Sequence, residues 1–94
     1  KKHLKMTCNF VVPVGSVKMV VCDRREGSDT FDLINEYILS RDNYFRLTIP
    51  PGLWYGFAGI TARENMMLNL ADITHDPAEQ VNVGSEEINI NYEW

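Results

Sequence analysis

A chain of 94 residues is one small domain or part of one, and at this size only about 60 to 65 per cent of the unfolded surface is buried, so the core is thin. A hydrophobic share of 45% beside 23% charged residues excludes intrinsic disorder. A net charge of −4 without a basic run excludes the usual footprint of nucleic-acid binding, while a few local cations still leave room for a phosphate-bearing small ligand.

The opening stretch KKHLKMTCNF has no signal-peptide pattern and no long apolar run, which predicts a soluble cytoplasmic protein with no membrane segment. It also lacks an initiating Met, and the start of the chain is expected to be missing. Thr7 to Val14 and Val17 to Cys22 are valine-rich and flank a turn signal at Gly15-Ser16, so they predict a hairpin. A two-residue turn would pair Val14 with Val17, Val12 with Met19 and Phe10 with Val21, gathering the apolar side chains on one face. Cys8 falls on that face and Cys22 on the other, so two free thiols are expected and not a disulfide.

DRREGSD, residues 23 to 29, is a polar loop. In TFDLINEYIL, Phe31, Ile34, Tyr37 and Ile38 recur at helical spacing behind Ser28 or Asp29 as a cap, and the pattern predicts a short helix. Tyr44 to Ile49 alternates, with Phe45, Leu47 and Ile49 on one face, and predicts a strand. Pro50-Pro51-Gly52 ends it, because proline donates nothing to a ladder and glycine tolerates the reversal. Strands follow at about Leu53 to Ile60 and Met66 to Ala71, with a last one in ININ, residues 88 to 91. Short strands about ten residues apart indicate an all-β sandwich or barrel.

Several pieces occur in an order that resembles a known family. They are Gly15 with Val17 and Val20 ahead of Asp23 and Arg25, then GS-x-TF at 27 to 31, LS at 39 and 40, Asn43 and Leu47. IPPG at 49 to 52, GF at 56 and 57 and DPAE at 76 to 79 complete the set. Together they resemble the dTDP-4-dehydrorhamnose 3,5-epimerases and their sugar-nucleotide relatives in the cupin superfamily, over most of the chain. The resemblance implies a cupin-type antiparallel β-barrel or jelly roll spanning residues 1–94, truncated at its N-terminus, that forms a homodimer through extended strands. It also implies a strand near Glu36 to Leu39 in place of the helix.

Epimerising a 4-keto sugar removes a proton next to the carbonyl and returns one on the opposite face. The reaction needs a base, an acid and a donor for the developing enolate oxygen. The resemblance places the family's base, in an R-G-x-H-x-Q motif, upstream of Lys1. The family's lysine position falls on Cys8, with Lys5 nearby on the opposite strand parity, and its tyrosine position falls on His75. A histidine donates a proton near neutral pH, so His75 is the expected catalytic acid. At the cupin metal positions this chain has Cys8, Lys1, His3 and Tyr55. No metal and no cofactor are expected from that set.

His3, Lys5, Arg46 and Tyr55 are the expected substrate contacts, Arg46 through phosphate. Trp54 and Tyr55 are adjacent on a strand and face opposite ways, so at most one enters a pocket; the resemblance places Tyr55 where relatives carry a pocket histidine and implies that Tyr55 is that one. The leading expectation is an epimerase or isomerase of nucleoside-diphosphate 4-keto-deoxy sugars. The alternative is a catalytically inactive cupin domain that binds a sugar ligand or supports assembly.

Overall fold

The computed structural model describes residues 1–84 and 86–94. Among the described residues eight strands and one 3-10 turn follow one another: β1 (Lys2–His3), β2 (Cys8–Val14), β3 (Ser16–Cys22), β4 (Ile34–Ser40), β5 (Leu47–Ile49), β6 (Trp54–Gly59) and β7 (Met66–Asn69), then the turn Pro77–Glu79 and β8 (Gln80–Val81). They form two antiparallel sheets, one ordered β4-β3-β6-β1-β8 and the other β5-β2-β7, in a cupin-like all-β fold.

The valine-rich arms do not form the expected hairpin. β2 enters the three-stranded sheet and β3 the five-stranded one, so Gly15 is the corner at which the chain changes layers. The alternation read from the sequence survives with a different partner. Cys8, Phe10 and Val12 of β2 meet Val17, Met19 and Val21 of β3 across the core, joined by Met6, Leu39, Ile49 and Tyr55. Both thiols are free and buried. Gly15 has φ 74, and a Cβ there would collide with Asn65 Oδ1 and lie 2.5 Å from the Glu64 carbonyl oxygen. That corner is closed by Asn65, whose Oδ1 accepts from the Ser16 N–H at 3.0 Å.

TFDLINEYIL is not a helix. Asp32 sits at φ 66 in the first turn of the would-be helix, and from Ile34 onward the segment pairs with β3 in unbroken register from Cys22↔Ile34 to Ser16↔Ser40. Ser28, one of the two residues expected to cap a helix, is used elsewhere: its hydroxyl donates to the Asp23 carboxylate at 2.6 Å, as the Thr30 hydroxyl does at 2.5 Å. Local periodicity loses here to seven pairings with a central strand.

The strand expected over 44–49 pairs only at Leu47–Ile49, although Phe45, Leu47 and Ile49 do turn inward. β7 stops at Asn69. Residues 88–91 form no strand, because Asn89 adopts φ 54 and interrupts the extended chain. Ile88, Ile90 and Tyr92 are still half-buried while their neighbours are exposed, so the alternation is kept without a ladder.

Gly15→Ala combines a left-handed backbone with a clash against backbone and should cost about 2 kcal/mol or more. A denaturant titration should show the midpoint falling with the slope unchanged.

Candidate functional site

β1 is two residues long and hangs between two neighbours, with Lys2 opposite Trp54 of β6 and Val81 of β8, and His3 opposite Gln80. This register points the His3 and Tyr55 side chains into the interior, where they are 6% and 8% exposed. A third polar group arrives from the far end of the chain. Asp76 caps the 3-10 turn by accepting from the Ala78 N–H at 3.0 Å, Pro77 starts it, and the turn drops Glu79 inward to 3% exposure.

One oxygen of Glu79 sits against Nδ1 of His3 in a short hydrogen bond. The other accepts from the backbone N–H groups of Lys5 and Met6, each at 3.1 Å. On the opposite side of the imidazole, Nε2 lies 3.1 Å from the Tyr55 hydroxyl, and the two rings stack with centroids 6.0 Å apart. Cys8 Sγ is 4.0 Å from the same hydroxyl, and Phe10 packs its edge against the phenol ring.

Burial alone would push the Glu79 carboxyl up. The bonds from His3, Lys5 and Met6 outweigh it and hold the group at about 2, against an ordinary 4.5. Burial pushes the Tyr55 phenol well above its usual range, helped by Cys8 and then by Glu79, so Tyr55 keeps its proton. The Cys8 thiol is also raised, chiefly by burial. An ionised carboxylate only accepts, so Nδ1 carries a proton, and with the imidazole singly protonated Nε2 accepts from the Tyr55 O–H. A carboxylate thus fixes the tautomer of a histidine whose other nitrogen faces a phenol.

A sequence model of the dTDP-4-dehydrorhamnose 3,5-epimerase family matches residues 3–94. The chain belongs to that family. The solved structure of a dTDP sugar isomerase from Desulfovibrio desulfuricans G20 is similar over 99% of this chain, with 37% identity and a TM-score of 0.94. The chain covers 60% of that protein. No curated protein matches it.

Within this epimerase-family fold, His3 and Tyr55 are brought together and the other expected contacts are not. Lys5 is exposed and meets the cluster only through its backbone N–H, and Arg46 is exposed just ahead of β5. His75 is exposed too, in the loop before Asp76. Trp54 faces outward with the Lys2 ammonium 4.9 Å from its ring centre. Among the described residues no group of three or more His, Cys, Asp and Glu converges as a metal site.

Glu79 is the participant that reasoning from the sequence missed. Its signal was present in DPAE, where a capping aspartate and a proline set up one tight turn and so fix the direction of the glutamate. Cys8, read as the occupant of a lysine position, is a close neighbour of Tyr55.

Because the Glu79 carboxyl titrates lower in the folded protein than in the unfolded one, its contribution to stability is complete above pH 4.5 and is lost as pH falls toward about 2. Denaturation midpoints measured across this window should fall with pH. In Glu79→Gln the acid limb should flatten, with lower stability at neutral pH.

Proposed function

We propose that this chain carries the proton-transfer site of a sugar-nucleotide epimerase or isomerase acting on a nucleoside-diphosphate 4-keto-deoxy sugar. The observation that carries the reading is the His3 imidazole held between the Glu79 carboxylate and the Tyr55 phenol. Family membership and the similarity to a dTDP sugar isomerase support a thymidine diphosphate sugar as the substrate class.

The carbonyl makes the adjacent C–H acidic, and Nε2 of His3 takes that proton. The imidazolium so formed is stabilised by Glu79, already ionised beside it. Nε2 is bonded to Tyr55 at rest, so the phenol must turn its O–H toward the developing enolate oxygen, which frees the lone pair for carbon. Burial suits Tyr55 to that task by keeping it protonated. His75 is assigned no step in this scheme, being exposed, whereas Lys5 and Arg46 are exposed cations suited to a pyrophosphate.

A second reading, a silent cupin domain that binds a sugar without turning it over, draws on two observations. Every buried side-chain polar atom among the described residues already has a partner, and the family's lysine position holds a buried thiol. A second copy of the chain belongs to either reading: Met66 and Leu68 on the sheet edge β7 are about half exposed, as an apolar interface would require. Sedimentation should give twice the chain mass; a monomer at micromolar concentration removes the dimer.

Incubation with a thymidine diphosphate 4-keto-6-deoxy sugar in deuterated water should exchange the protons at C3 or C5. His3→Asn and Tyr55→Phe should each slow exchange by roughly a hundredfold or more, and His75→Ala should leave it unchanged. Binding without exchange in the unaltered chain would establish the silent domain instead.

A further inference from the structure

β3 is buried on both faces. Its inward side chains form the core, and Val20 and Cys22, which point out of the five-stranded sheet, are only 6% and 3% exposed. What covers them is the segment that follows β8, described at 82–84 and 86–94. Ile88, Ile90, Tyr92 and Trp94 of this segment, with Val20, Cys22, Trp54 and Gly56 of the sheet, line a half-open cleft of about 120 Å³. Tyr55 also lines it, so the covered space adjoins the His3 cluster through β6.

The segment is attached by side chains, not by a ladder. Among the described residues its backbone hydrogen bonds are local, Glu87 N–H to the Gly84 carbonyl at 3.0 Å and Tyr92 N–H to the Ile90 carbonyl at 2.8 Å. Polar contacts with the body of the protein include three points. The Lys18 ammonium donates to the Trp94 carbonyl at 3.1 Å and lies 5.2 and 5.1 Å from the ring centres of Tyr92 and Trp94. The Tyr92 hydroxyl donates to Glu36 at 2.5 Å, and Arg24 donates to the Asn89 carbonyl at 3.1 Å. Gly56 completes the fit, because a Cβ there would stand 2.9 Å from Trp94 Cζ2.

We infer that this segment is a latched lid over an apolar cleft on the outer face of the five-stranded sheet, with Lys18 clasped by Tyr92 and Trp94 as its principal latch. Exposed point contacts of this kind break at lower free energy than a strand ladder, so the lid opens while both sheets stay intact. The space beneath suits a small uncharged ring, being close in size to cavities of about 150 Å³ that accept benzene, and is too small for a whole sugar nucleotide.

The two cysteines supply the test. Cys22 lies under the lid, whereas Cys8 is in the core between the sheets and reacts only on global unfolding. Alkylation of the native chain with iodoacetamide, followed by peptide mapping, gives each rate, corrected for its rate in urea-unfolded chain. Cys22 should label at least ten times faster than Cys8, with little dependence on low urea. Lys18→Met and Gly56→Ala should each raise the Cys22 rate a further severalfold and leave Cys8 unchanged. Equal protection of the two thiols, with the same urea dependence, overturns the lid, and so does a Cys22 rate that ignores both substitutions.

Discussion

The site rests on one carboxylate. Glu79 holds Nδ1 of His3 with one oxygen and two consecutive backbone N–H groups, of Lys5 and Met6, with the other. Its backbone joins in, the Glu79 carbonyl accepting from the Leu4 N–H at 2.6 Å. A buried acid with this many donors stays ionised, and an ionised acid is what orders a strand as short as β1. The same group therefore shapes the entry of the chain into the sheet and sets the proton position on the histidine. Structure and chemistry meet there in a single side chain.

Around that cluster the architecture follows from the corner at Gly15. A hairpin would have stacked β2 and β3 in one sheet and left their shared apolar face to be covered by something else. Sending the strands to opposite sheets lets each cover the other, which is how a chain of this size obtains a two-layer core. Pro13 belongs to the same device. It lies where the β2–β7 register shifts between Val11 and Val14, and a residue without an N–H is least costly at such an irregularity.

Much of this was legible in the sequence at the level of alternation. The inward residues of β2, β3 and β5 were readable because burial on one face imposes a period of two. Which strand each would pair with was not, since pairing depends on contacts far along the chain and a Gly-Ser turn signal is compatible with either a hairpin or a change of layer. Helical spacing at Phe31, Ile34, Tyr37 and Ile38 misled for a related reason: Tyr37 packs on the core, whereas Phe31 and Ile38 are exposed, so their spacing records two faces of a strand plus a loop. Strand parity set Trp54 and Tyr55 on opposite faces, and the family resemblance picked Tyr55 as the inward one. His3 was identifiable as a candidate, but its partner lies 76 residues away and no local pattern joins them.

That separation bears on how the protein is made. Emerging from a ribosome, the chain can assemble β3 against β4 and β6 once Gly59 is free, yet His3 has no carboxylate to meet until the turn at Pro77–Glu79 has followed. Closing so large a loop comes late in any folding order ruled by chain entropy. Until then a histidine at the front of the chain carries an unassigned tautomer, and the protein has a sheet before it has a site.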